Sequence, residues 1–378
     1  MAPFTKPMRI LHLYHDFWPA RGGIEDYLTD LLPRQTGQPL VGQGTRLEPV
    51  LLCASPTTAT TEGWFEGVRV VRAGALGRYY TPIAPTWPAW IRRLRPDLIH
   101  LHLPCPLGEW AIALADPRTL LVVSLHNEYV RPAWALALQG RLQRRLLQRA
   151  AAILVGAPDY AATSPVLAGL GHKVHTAPYG IDLPRYARRD APPAPGAGVL
   201  FAGRLTYYKG VEVLLDAARL IKAPITIAGD GPWRARLQGQ ARRLGLDARV
   251  TFLGAVDDAR LIDLMQHSQV FVFPSTERSE SFGLVQLKAM ACGLPVVSTT
   301  LPGVSWLNQD GQTGLTVPPC DAPELAAAVN RLLADEHLRA RLAAGAAARA
   351  RHFDLATMTA AVTQVYAAVM ADAQHPHL

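Results

Sequence analysis

Cysteine is scarce in this chain: four occur among 378 residues, Cys53, Cys105, Cys292 and Cys320, with no C-x-x-C pair. That spacing supports neither a disulfide framework nor a zinc site. Long apolar runs are missing too, so no segment approaches the roughly 20 residues that span a bilayer. The opening M-A-P-F-T-K-P-M-R lacks the apolar core of a secretion signal, and no N-x-S/T sequon occurs. A reducing cytoplasm is the compartment these features imply. Acidic residues are outnumbered, 30 against 38 Lys and Arg, for a net charge of +8. Such an excess favours anionic partners: a sugar nucleotide, an acidic membrane surface or nucleic acid. The last has no support, because there is no nucleic-acid module and no basic strand interleaved with aromatics. A Walker-type P-loop, a solenoid period and low-complexity tracts are absent as well.

A hydrophobic share of 49% is globular composition, and the length suggests two domains of ordinary size. Short apolar runs at 9–14, 50–53, 68–72, 98–102, 120–125, 153–155 and 173–176 alternate with helical or loop segments. This is the pattern of an α/β domain built on a parallel sheet. The tract R-D-A-P-P-A-P-G-A-G at 189–198 reads as a linker. Alternation restarts with the strand at 199–202 and an amphipathic helix at 211–220. The expected division is therefore 1–188, linker 189–198, 199–354, and a last helix within 355–378. Ligands collect at the carboxyl ends of parallel strands. At such ends fall Gly22-Gly23, His102, His126, and the loop carrying Arg204 and Lys209. The segment Trp134 to Ala151 predicts a helix with Leu138, Leu142, Leu146 and Ala150 on one side and Arg141, Arg144, Arg145 and Arg149 on the rest. It reads either as a core-packed helix with a solvated face or as a membrane-surface helix.

The most informative stretch is P-S-T-E-R-S-E-S-F-G-L-V-Q-L-K-A-M-A-C-G-L-P at 274–295. The buried-strand run Val270 to Phe273 precedes it, and Leu284, Leu287, Ala291 and Leu294 recur at helical spacing within it. Gly283 then sits where a helix begins, and a helix N-terminus is an anion site. Carboxylates just outside it, Glu277 and Glu280, suit hydroxyls attached to that anion. Sugar plus diphosphate is the simplest ligand with both halves.

At Glu280, Phe282, Gly283, Ala289, Met290, Ala291, Gly293, Pro295, Val296 and Val297 the chain resembles the C-terminal signature of the family 4, group 1 retaining glycosyltransferases of the GT-B type. G-G-I-E at 22–25, G-R-L-x-x-x-K-G at 203–210 and A-P-Y-G-I-D at 177–182 resemble further segments of that family. The resemblance implies two facing Rossmann-like domains with a cleft between them and a C-terminal helix crossing back to the first. It implies Gly22, Gly23, Arg204, Lys209, Gly254, Phe282, Gly283, Leu284 and Lys288 as donor-binding positions. His126 would lie near the reacting sugar, and Glu280 would bind its hydroxyls. The donor would be a UDP- or GDP-linked sugar and the acceptor a glycan or lipid-linked molecule, with no cofactor and no metal. Consistently, no D-x-D occurs. Work on cell-envelope or exopolysaccharide in the cytoplasm, with attachment to the inner membrane face as an alternative, follows from the same resemblance. One position departs: Lys288 stands where the family has a second glutamate, and lysine can only donate hydrogen bonds. That leaves open a catalytically silent scaffold on the same fold, and a sugar-nucleotide epimerase as a third reading.

Overall fold

The structure is a computed structural model and describes residues 6–42, 44–77, 83–128, 133–187 and 198–374, with side chains of the 133–138 segment excluded. The chain divides into two compact units, Met1–Gly180 with Leu355–Leu378, and Ile181–Asp354.

In the first unit nine strands form one sheet: β1 (Met8–Leu13), β2 (Pro39–Leu40), β3 (Thr45–Ala54), β4 (Thr61–Phe65), β5 (Val68–Ala73), β6 (Leu98–Leu103), β7 (Leu120–Leu125), β8 (Ala152–Val155) and β9 (Val174–Thr176). The order is β4-β5-β3-β1-β6-β7-β8-β9, with β2 on β3. β7 matches its apolar run outright, β3, β5, β6 and β8 lengthen theirs by a residue or more, β1 is shifted one residue toward the N-terminus, and β9 is one residue shorter. Strands β2 and β4 are additions to that reading; both pair antiparallel, β4 to β5 through a turn at Glu66 and Gly67 in left-handed conformation.

Parallel strands covered on both faces read as continuous apolar runs. Strand β6, L-I-H-L-H-L, is buried throughout yet carries His100 and His102. Period-two alternation puts both on one face. Register aligns His12 of β1 with His100, and His102 with Ser124 of β7. The same face therefore gathers His12, His100, His102 and Ser124, against Gln35 and Tyr27 of the Gly23–Gln35 helix and Tyr366 of the Leu355–Gln374 helix.

The second unit carries β10 (Val199–Ala202), β11 (Ile225–Ala228), β12 (Val250–Gly254), β13 (Val270–Phe273), β14 (Val296–Thr299) and β15 (Gly314–Val317). All pairings are parallel and the order is β12-β11-β10-β13-β14-β15. The order reverses between β10 and β13, and the carboxyl ends of strands at such a switch point are where open α/β sheets bind ligands. Its core packs Val199, Phe201, Ile227 and Val272 against Leu214, Leu325 and Val329 of the flanking helices.

The unit boundary differs from the expected one. Ile181, not the linker, begins the second unit, because its N–H donates to Phe353 O at 2.9 Å and the following turn packs on Lys288 and Asp258. The expected linker lies outside the described residues except for Gly198. The Ala-, Leu- and Arg-rich region near the end of this unit is two helices, Ala322–Ala334 and Glu336–Ala350. Asp335 breaks it, since its carboxylate caps the second helix at Leu338 N, 2.8 Å.

Candidate functional site

The site residues fall into two sets, one in each unit. In the second unit the β10 loop and the β13 loop are stitched together. Thr276 N donates to Tyr208 O at 2.8 Å, and Gly210 passes so near Pro274 that a Cβ there would lie 1.8 Å from its carbonyl oxygen. With φ of 68°, Gly210 is held to glycine by both conformation and space. This crossing brings the Lys209 ammonium onto Glu280 Oε2 as a nearly buried ion pair, their side chains 12% and 10% exposed. Ser275 Oγ donates to the same carboxylate oxygen at 3.3 Å, and the ammonium stands 5.0 Å above the Phe273 ring. Burial works against the Lys209 charge, but Glu280 and Tyr208 outweigh it and raise the ammonium's pKa. Lysine thus stays protonated where its partner is an anion.

Gly283, φ 85°, opens the Leu284–Ala291 helix beside this pair, and a Cβ there would strike the Phe273 ring at 2.6 Å. Gln286 N and Leu287 N donate to Gly283 O, and the N-terminus of this helix is a second source of positive potential beside the pair. Arg204 lies at the start of the β10 loop with an exposed side chain. Lys209, Glu280, Gly283 and Leu284 are therefore brought together. Gly254 ends β12, two strands away from β10, where its carbonyl accepts from Gly229 N at 2.7 Å.

Two positions behave otherwise than their motif implies. The Phe282 side chain is buried and packs against Trp306 and Phe353 at 6.2 and 5.9 Å between centroids, so it supports the core. The Lys288 ammonium lies 5.7 Å from the Tyr186 ring, on the turn Leu183–Tyr186. Burial raises the Tyr186 hydroxyl's pKa and the nearby Lys288 charge opposes that rise. Ser275, Tyr208 and Tyr186 escaped the sequence reading; none belongs to a spaced pattern, and only the loop crossing reveals them.

In the first unit His126 is 5% exposed, and both ring nitrogens are engaged. Its Nδ1 is 2.7 Å from Tyr179 Oη and its Nε2 is 3.0 Å from His102 Nδ1. His102 Nε2 is 3.0 Å from His12 Nδ1, and His12 Nε2 is 3.1 Å from Gln35 Oε1. Gln35 Nε2 donates to Tyr366 Oη at 3.5 Å, which is 2.5 Å from His100 Nδ1, and His100 Nε2 is 2.7 Å from Ser124 Oγ. Burial pushes His12 and His126 down to about 3, and His100 and His102 well below their ordinary value, so all four rings are neutral. Nitrogens of His12, His100 and His102 lie within 4.8 Å of one another, a spacing a metal ion could use. Each of those six nitrogens, however, already faces a hydrogen-bond partner in the network. The alternation L-H-L and H-L-H at 11–13 and 100–102 was legible, but the register joining them was not.

Gly22 and Gly23 open the Gly23–Gln35 helix. Gly22 has extended backbone and nothing lies within 4 Å of a Cβ on Gly23, so the turn itself does not require glycine there. In the Ala133–Arg149 helix Leu146 and Leu147 are buried, Arg144 donates to Val166 O at 3.1 Å, and Arg149 donates to Asp116 O and Thr119 O at 3.0 and 3.1 Å. Two of its four arginines thus hold carbonyls of their own unit. Among the described residues no helix is long and apolar enough to cross a membrane.

Glycine-edged loops carrying a buried ion pair at the switch point of a parallel sheet lie where open α/β folds bind their ligands. Comparison makes the class specific. Residues 21–185 match Glycosyltransferase Family 4 and residues 188–349 match Glycosyl transferases group 1. The O-antigen chain mannosyltransferase C of Escherichia coli is 31% identical over 340 residues, covering 87% of this chain and 90% of that protein. The phosphatidyl-myo-inositol mannosyltransferase of Mycobacterium tuberculosis is 31% identical over 342 residues, covering 85% and 88%. Among solved structures, sucrose-phosphate synthase from Thermosynechococcus elongatus superposes with a TM-score of 0.81 at 23% identity, covering 96% of this chain and 99% of that one. The chain belongs to the family 4, group 1 glycosyltransferases, has the GT-B fold, and is a glycosyltransferase enzyme.

Proposed function

We propose that the enzyme moves a hexosyl group, with retention of configuration, from a UDP- or GDP-sugar to a glycan or lipid-linked acceptor in cell-envelope polysaccharide synthesis. The two mannosyltransferase relatives support the transfer of a hexosyl group and a glycan or lipid-linked acceptor. The observation that carries the reading is the Lys209–Glu280 pair at the head of the Leu284–Ala291 helix. Breaking the anomeric C–O bond leaves negative charge on the β-phosphate and positive charge on the sugar ring. Lys209, Arg204 and the helix N-terminus answer the first charge as it develops. Glu280, held by Ser275, is oriented to accept from sugar hydroxyls once the diphosphate draws Lys209 toward itself. A departing phosphate oxygen takes the acceptor's hydroxyl proton. His126, with both nitrogens occupied, serves as a neutral ring beside the sugar instead of a base.

These cations replace a metal in the reading, so turnover persists in the presence of a chelator; loss restored by magnesium or manganese would overturn that part. A retained Lys209–Glu280 pair speaks against a silent scaffold. The deciding experiment incubates the protein with a panel of nucleoside-diphosphate hexoses and lipid-linked or glycan acceptors, and reads the product linkage by NMR. Free nucleoside diphosphate appearing without acceptor, or an inverted linkage, would defeat the proposal. Peripheral attachment to an anionic membrane belongs to the same reading, now resting on Arg141 and Arg145. Vesicle co-sedimentation unaltered by R141Q/R145Q would remove it.

A further inference from the structure

The histidine network of the first unit has a direction, and Gln35 is where that direction is chosen. A carboxamide oxygen can only accept, so the His12 ring must carry its proton on Nε2. A neutral imidazole has one donor and one acceptor, which makes His12 Nδ1 an acceptor. His102 then carries its proton on Nε2, leaving Nδ1 to accept, and His126 follows with its proton on Nε2. The chain closes when the Tyr179 hydroxyl donates to His126 Nδ1. On the other side the Gln35 amide N–H donates to Tyr366, whose hydroxyl donates to His100 Nδ1, and His100 Nε2–H donates to Ser124. Flipping the amide would reverse every bond in both arms, so the four rings form a single two-state system.

We propose that Gln35 is a positioning residue: acting through His12 and His102, it fixes His126 as the neutral Nε2–H tautomer. The parallel tilt of the rings agrees with such a relay: His12 and His102 stack at 13°, and His102 and His126 at 17°. Burial favours the uncharged form of every member, so the relay holds a tautomer without storing a proton. The consequence for turnover rests on the reading of His126 as a group beside the donor sugar; the tautomer itself does not.

The test is 15N–1H correlation spectroscopy of the histidine rings in the full chain, paired with steady-state kinetics. In the natural protein His12, His100, His102 and His126 are expected all as Nε2–H. Gln35→Leu removes the acceptor and the donor together, so the two arms uncouple and His126 shifts toward a tautomer mixture. Gln35→Glu keeps an acceptor toward His12 and should keep His126 as Nε2–H. For turnover we expect a loss of about 3- to 10-fold in Gln35→Leu, the scale of one net hydrogen bond, largely restored in Gln35→Glu and expressed in kcat more than KM. An unchanged His126 tautomer in Gln35→Leu overturns the proposal. Should that variant not fold, the natural protein still decides: His126 as Nδ1–H alongside His12 as Nε2–H overturns it. A tautomer shift with turnover unchanged supports the relay and refutes the placing of His126 at the sugar.

Discussion

Lys288 is the one position at which the chain departs from the family motif. A carboxylate at this position could accept hydrogen bonds from ribose hydroxyls, whereas this ammonium can only donate and rests near the Tyr186 ring in its own unit. Uridine and 2′-deoxyuridine diphosphates, or the guanosine pair, should therefore bind with similar affinity. In Lys288→Glu the ribose form is expected to gain over the deoxy form by about 0.5–1.5 kcal/mol in calorimetry. Strong discrimination in the natural protein, or an unchanged preference in the variant, would take position 288 out of ribose recognition. Lys209, paired with Glu280, is the cation proposed to answer the donor phosphate. Lys209→Ala should weaken nucleoside-diphosphate binding by about 1.5–3 kcal/mol and leave nucleoside binding nearly unchanged, since the ammonium answers phosphate charge. Equal loss for both ligands would contradict that assignment.

At the scale of elements, the loops leaving β10 and β13 are built around glycines of different kinds. Gly210 has no room and a left-handed backbone, so Gly210→Ala should cost at least the roughly 1–2 kcal/mol of that conformation and lower the melting temperature. Gly23 has space for a methyl group and no positive φ. Gly23→Ala should leave the melting temperature nearly unchanged, or raise it slightly through helix propensity, and lower donor affinity if the backbone there meets a phosphate. A stability loss in Gly23→Ala comparable with that in Gly210→Ala would show that the helix start needs glycine for folding. Much of this was legible before the structure. Strand β7 was bounded to the residue from its apolar run, because a strand covered on both faces has little freedom in composition. Strand β4 was not legible: Thr61 to Phe65 lies at the sheet edge with exposed Thr61, Glu62 and Trp64, so its pairing leaves no apolar signature.

For the whole molecule, the histidine network ties stability to pH. The four rings have folded pKa values below the unfolded value near 6.5, so the unfolded chain binds more protons in acid. Their contribution is intact above about pH 6.5 and is lost progressively as pH falls below it, for His12 and His126 down to about 3. Hydrogen exchange followed peptide by peptide should show β1, β6 and β7 losing protection between pH 7 and 5 faster than β10 and β13. Equal loss in both sheets would place the acid sensitivity elsewhere. The sequence by itself determined the alternation of strand and helix, the two-fold repetition of that pattern and the glycines and charges at strand ends, because composition and spacing respond to burial and backbone conformation locally. Only the tertiary structure decided which strands lie side by side. Register set His12 against His100, and the switch between β10 and β13 set Lys209 against Glu280. Those partners are 88 and 71 residues apart in the chain, and pairing at such separation is selected by the packing of whole sheets, which no local spacing encodes.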